Sequence, residues 1–251
     1  MSTIPSSTPP LRTTAATASA PSATTANGGA ASSVPAATAV RPDVQISSLA
    51  SRLNKAENGS SVADPTLSRD QLGDKVRQNI AVVTYTLTEE NKARMAREVP
   101  VPADASALAS AAANAFVNDL KGPNPFAGLS REQLATIAND DSGTFTTNER
   151  YAAHRQAYDE EQQWRSQVVA QAMAEYHASG KLTNFFEAVL DHFNTLPRTE
   201  QALYPADYAT DLQQKIDLDF NYFTNTPGEQ GGGHAQSGID VAGLVKWPTM
   251  R

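Results

Sequence analysis

Residues 148–179 run without a single glycine or proline. At about 1.5 Å per residue this stretch can form one helix roughly 48 Å long, which makes a helical framework the natural solution for the rest of the chain. Its two halves differ. Tyr151 and Tyr158 share a face in a polar first half that also holds His154, Arg155, Asp159, Glu160 and Glu161. The second half has a stronger apolar stripe of Trp164, Val168, Ala172, Met173 and Tyr176. Gly180 is placed to end the helix.

Other segments carry the same periodicity. Ser68 and Gln71 have capping-box spacing, with Leu67 and Leu72 at the staple positions, and Leu72, Val76 and Ile80 continue one face. The β-branched run AVVTYTLT at 81–88 suits a short strand, but Val83 and Leu87 prolong the helical stripe, so helix is the preferred reading. Thr88 caps a helix over 89–98, which the Val-Pro-Val-Pro segment 99–102 ends. After Asp104, the residues Leu108, Ala112, Ala115, Phe116 and Leu120 trace the buried face of an alanine-rich helix stopped by Gly122, Pro123 and Pro125.

Beyond Gly180, Thr183 opens a helix that turns Phe186, Val189, Leu190 and Phe193 inward and closes at Pro197. A short helical turn near 199–204 follows. Residues 206–223 then place Tyr208, Leu212, Ile216 and Phe220 at four-residue steps. These patterns predict an all-α fold: an irregular bundle of about six helices over 65–225, with a disordered N-terminal leader over 1–64 and a flexible Gly-rich C-terminal tail over 226–251. The apolar end of the tail, IDVAGLVKW, either folds back on the body, frays or serves as a recognition peptide.

Residues 1–40 are almost wholly Ser, Thr, Ala, Pro and Gly, with one charge at Arg12. Such a segment buries too little surface to offset the entropy of ordering it. Its composition resembles the leaders of bacterial type III exported proteins. Within the leader, DVQISSLASRLNKAE at 43–57 spaces Ile46, Leu49 and Leu53 as a short amphipathic helix, which either binds a partner or docks on its own domain. The stretch VQISSLASRL is similar to short helical motifs of flagellar anti-sigma factors and other flagellar proteins. These resemblances imply a bacterial protein that leaves the cell through a type III or flagellar-type system; localisation stays open between that and the cytoplasm.

The formal net charge is -7, and residues 1–64 contain one more basic than acidic side chain, so all of the excess lies on the body. An acidic body without a Lys/Arg cluster repels phosphate backbones, which disfavours nucleic acid as a partner. The absence of cysteine excludes disulfides, thiolate nucleophiles and zinc-thiolate sites. There is no apolar run of about 18 residues to cross a membrane and no secretory-type basic and apolar start.

The segment 129–158, LSREQLATIANDDSGTFTTNERYAAHRQAY, reads as helix, tight turn, helix. LSREQL repeats the LSRDQL of 67–72, which two helix starts with the same capping chemistry explain, as does an ancient duplication. With Gly143 at the sixth place of a twelve-residue calcium loop, Asp140 falls at three, Ser142 at five, Thr144 at seven through its carbonyl, Phe145 at eight, Thr146 at nine and Glu149 at twelve. Calcium needs six to eight oxygens around one turn, with a bidentate Glu closing the shell. Ala138 stands at the first place, where a carboxylate belongs. The segment therefore resembles a degenerate EF-hand, and the resemblance implies a calcium site of weak, millimolar affinity. The same Thr146 and Glu149 also form a capping box, so a metal-free structural turn is the competing reading.

Enzyme readings are thinner. His154, His177, His192 and His234 belong to no nucleophile or metal motif. Glu187, Asp191 and His192 lie on adjacent turns as a conceivable acid–base or metal set, and Asp211, Asp217 and Asp219 have the same status. The leading expectation is a non-enzymatic bacterial helical protein that works through protein contacts. A calcium-binding helix–loop–helix module is the alternative, and a small enzyme of unknown chemistry comes third.

Overall fold

The computed structural model of the chain describes residues 42–100, 107–228 and 239–248, with side chains from residue 48 onward. The expectation of a disordered leader over 1–40 and the Gly-rich stretch 229–238 lie outside these residues. The described structure is all-α apart from one two-residue antiparallel pair.

Helix α6, Thr147–Ser179, is the spine. Thr146 caps it, accepting a hydrogen bond from the Glu149 amide while the Glu149 carboxylate accepts one from the Thr146 amide. Glu98 adds a second acidic partner at this end, where its carboxylate accepts from the Thr147 amide at 2.7 Å and from the Thr147 hydroxyl at 3.0 Å. Both carboxylates sit at the electropositive end of the helix dipole. Gly180 ends the helix with φ +74°, and a Cβ there would lie 2.6 Å from the Phe223 ring, so the position demands glycine twice over.

The change of character along α6 divides the core. The first half presents Ala152, Ala153 and Ala157, whose small side chains let helices α4 (Ala107–Asn118) and α5 (Arg131–Ala138) approach closely. Phe116, Phe126, Leu134, Ile137 and Phe145 fill this region, and helix α1 (Pro42–Gly59) adds Leu53 and Ala56. The second half presents Val168, Ala172 and Tyr176 to α7 (Thr183–Thr195) and α9 (Tyr208–Leu218), where Phe186, Val189, Phe193, Tyr204, Tyr208 and Leu212 are buried. A smaller cluster joins Leu72 and Val76 of α2 (Arg69–Val83) to Ala202, which follows the short α8 (Arg198–Gln201). Helix α3, Glu89–Met95, buries Met95.

The buried set reaches past both expected limits of 65 and 225. Leu53 is 6% exposed and Ala56 is fully buried; at the other end Val241 and Val245 join the second core from a 3-10 turn at Val241–Leu244. The Lys215 ammonium donates to the Leu244 carbonyl at 3.0 Å and helps hold this strap down.

Three elements differ from the periodicity reading. Helix α2 stops at Val83, where Thr84 turns its hydroxyl back to the Ile80 carbonyl at 2.8 Å, and residues 85–88 lie outside regular structure. Helix α9 ends at Leu218 instead of continuing to Phe223. Asp219 adopts the left-handed region at φ +45°, held there by Thr183 at 2.5 Å and by Lys181, and the chain turns into β1 (Phe220–Asn221), which pairs with β2 (Thr226–Pro227).

The third difference is the face of α4. Ser110, Ala113, Phe116 and Val117 are buried, whereas Leu108, Ala112 and Ala115 point outward and Leu120, just beyond the helix, is 45% exposed. Leu108 itself is 56% exposed. In a helix so rich in alanine, Phe116 fits either face, and polar contacts decide. Asn114 accepts from the Asn148 amide at 2.7 Å, which turns the Ser110–Asn114–Val117 side toward α6.

Candidate functional site

Local chemistry builds the helix–loop–helix. Ser130 and Gln133 form a reciprocal cap at the start of α5, and Asn139 ends it. Asp140 is fully buried. Its Oδ1 accepts from the Ser142 amide at 3.1 Å and the Ser142 hydroxyl at 2.5 Å, while its Oδ2 accepts from the Phe145 amide at 2.8 Å. Gly143, at φ +81°, takes the sharp corner between them. Phe145 drops into the first core at 3% exposure, and Thr146 starts α6.

The five residues expected to ligate calcium meet different fates. Asp140 is engaged by the loop's own amides, and the Ser142 and Thr144 hydroxyls pair with each other at 2.8 Å. The Thr146 hydroxyl lies 3.1 Å from Glu149 Oε2. Only the Thr144 carbonyl and the Glu149 carboxylate, at the seventh and twelfth places, converge on a common cation, and that cation is a guanidinium. Arg52 Nη2 donates to the Thr144 carbonyl at 2.9 Å and to Glu149 Oε2 at 2.8 Å. Arg52 is 6% exposed and its guanidinium lies 4.1 Å above the centre of the Phe145 ring. The Ala138 carbonyl accepts from Arg150 Nε at 3.3 Å.

The residues just after helix α1 grip the loop at a second point. The Ser60 hydroxyl lies 3.0 Å from both the Asn139 carbonyl and Asp141 Oδ1, and the Ser61 amide donates to the same Asp141 oxygen at 2.7 Å. Partial burial pushes the Asp141 carboxyl up, but the hydrogen bonds from Ser61 and Ser60 outweigh it and hold the group below the usual aspartate range. Two acceptors at this site have no hydrogen-bond partner among the described residues: Glu149 Oε1 and Asn139 Oδ1, both buried.

The sequence reading did not find Arg52 as part of this site. Its signal was faint: Leu49, Arg52, Leu53 and Ala56 share one helical face at steps of three and four, which puts a charge inside an apolar stripe.

A second buried charge cluster lies farther along α6. Glu161 is fully buried and binds Arg165 Nε at 2.8 Å, His192 Nε2 at 2.9 Å and Arg131 Nη2 at 3.3 Å. Arg131 also forks onto Glu200 at 2.7 and 2.6 Å. His192 stacks on Trp164 at 3.6 Å, and Trp247 meets Trp164 edge-on at 5.8 Å. Burial pushes the Glu161 carboxyl up, yet His192 and Arg165 pull it down to about 2. Nearby Tyr204 and Tyr208 are raised, first by burial and then by the Glu161 charge. A carboxylate so strongly neutralised is a poor proton acceptor near neutrality.

His192 thus faces inward, while Glu187 and Asp191 are exposed, so the structure does not bring those three together. Asp211 pairs with Lys215 at 2.8 Å, Asp217 accepts from Gln213 at 2.8 Å, and Asp219 holds Lys181 and Thr183. No group of three or more His, Asp or Glu among the described residues is arranged to hold a metal ion. A cation at the 138–149 loop would therefore rest on Glu149 together with carbonyl and hydroxyl oxygens. No protein-family model, curated protein or solved structure matches the chain.

Proposed function

We propose that this chain is a non-enzymatic helical protein that acts by binding another protein, and that the outer face of α4 receives an amphipathic partner helix. The observation that carries this reading is the exposed apolar stripe Leu108, Ala111, Ala112 and Ala115, extended by Leu120. Spacing of three, four and seven is the pattern by which one helix anchors on another. The small side chains give a partner backbone room to come close, and the large exposed leucines at either end supply apolar area that water solvates poorly.

Leader composition supports the further reading of a bacterial protein exported through a type III or flagellar-type channel. A reporter fused behind residues 1–40 leaves a secretion-competent cell if so.

A photo-cross-linking amino acid placed at Ala111 or Ala115, in the cells that make the protein, is expected to trap one discrete adduct. The adduct disappears when Leu108 and Ala112 are changed to Glu. Absence of any adduct from α4, with the protein folded and abundant, removes the reading.

A second reading, of a calcium-responsive module, is favoured by one specific observation: the Thr144 carbonyl and the Glu149 carboxylate close around a positive charge.

A further inference from the structure

We infer that Arg52 is a tethered stand-in for the loop's cation, so that helix α1 and a hard divalent cation such as calcium compete for the same oxygens. The inference rests on the calcium reading of the 138–149 loop and gives it a consequence, the release of α1.

Three observations carry it. The guanidinium touches two oxygens that the loop spacing assigns to metal, the Thr144 carbonyl and Glu149 Oε2, at 2.9 and 2.8 Å. Glu149 is fully buried, and only one of its two oxygens is partnered by the guanidinium and the Thr146 cap; Oε1 accepts nothing among the described residues. A carboxylate with one free oxygen in the interior is suited to the bidentate grip that calcium takes and that the single Nη2 contact leaves incomplete. Finally, the Ala at the first place of the loop is answered by a side chain arriving from outside it. Arg52 supplies a single positive charge at the seventh and twelfth places of a loop that lacks a carboxylate at its first, Ala138.

The competition is unequal in the native chain. Arg52 is carried by a helix that also buries Leu53 and Ala56, and the residues that follow it, Ser60 and Ser61, clasp Asp141. Its local concentration is therefore high, and the apparent affinity of any cation is reduced by the small fraction of molecules in which the guanidinium has left. A guanidinium away in about one molecule in ten would reduce it about tenfold, and a smaller displaced fraction reduces it further. Calcium thus acts on the native protein only at high concentration, and its binding detaches the α1 end that carries Arg52.

The test uses the full chain and three variants. Arg52→Met keeps a flexible apolar stem over Phe145 and removes the charge. Arg52→Met combined with Glu149→Gln neutralises both partners and serves as the control that folds without any cation, and Glu149→Gln alone removes the metal's anchor. Calcium is titrated calorimetrically and by thermal melting, with magnesium as the comparison. Arg52→Met is expected to bind calcium with a Kd on the order of 10⁻⁴ to 10⁻³ M, about tenfold or more tighter than the native chain, and to recover melting temperature in a saturable way. The two variants with Gln at 149 show no response. In the native chain, millimolar calcium should speed amide hydrogen exchange in residues 48–61, which can be read without any substitution. Calcium that binds the native chain with α1 still protected leaves the calcium reading standing and overturns the competition. No heat and no exchange change in any form up to about 10 mM, well above that affinity range, overturns both.

Discussion

Arg52 and Glu149, 97 positions apart, meet at 2.8 Å in a region where neither side chain is more than 6% exposed. The glutamate performs two tasks at once. It closes the capping box of α6 through the Thr146 amide, and it neutralises the buried charge that Arg52 of α1 carries into the first core. Local helix chemistry and long-range docking therefore share a single carboxylate oxygen.

The Glu161 cluster makes the protein sensitive to acid. Its carboxyl titrates at about 2 in the folded chain against an ordinary value of 4.5. As pH falls the unfolded chain takes up the proton first, so the stability this group confers is complete above 4.5 and drains away down to about 2. The loss is on the order of 3 kcal/mol. Denaturant titrations at several pH values should show it, and Glu161→Gln should lower stability at neutral pH while flattening the acid limb.

Two left-handed glycines should respond differently to alanine. At Gly143, φ +81°, nothing lies within 4 Å of an added Cβ, so Gly143→Ala costs about 1 to 2 kcal/mol of backbone strain. At Gly180 the same change also drives the Cβ against Phe223 and the Asn221 side chain. The steric term adds to the strain, and equilibrium unfolding should rank Gly180→Ala clearly below Gly143→Ala.

The orientation of α4 is open to a simple comparison. Leu108→Glu alters an exposed position and should change unfolding free energy by no more than about 0.5 kcal/mol. Phe116→Ala empties a buried one and should cost about 3 to 5 kcal/mol. Similar penalties at both sites would mean that Leu108 is covered.

What could be read in advance was local. The caps at Ser68, Ser130 and Thr146 require only the three residues that follow, and all three are formed. The corner at Gly143 and the long helix from Thr147 depend on neighbours a few positions away. The Arg52–Glu149 pair depends on two segments nearly a hundred residues apart, and periodicity has no means of choosing which charge a buried glutamate will find. The same holds for Glu161 and His192, and for Val241, whose burial is decided by where the tail returns. On α4 the periodicity was ambiguous because alanine satisfies either side, and the hydrogen bond between Asn114 and Asn148 made the choice.

The most direct measurement is a double-mutant cycle on Arg52 and Glu149, using Arg52→Met, Glu149→Gln and the pair in chemical denaturation. Each single change strands a buried group and should cost about 3 to 5 kcal/mol, whereas the double variant removes both and should recover a large part of that loss, giving a coupling of about 2 kcal/mol or more. Costs that simply add to within about 0.5 kcal/mol would contradict the account, because the guanidinium would then not be the charge that the loop is built around.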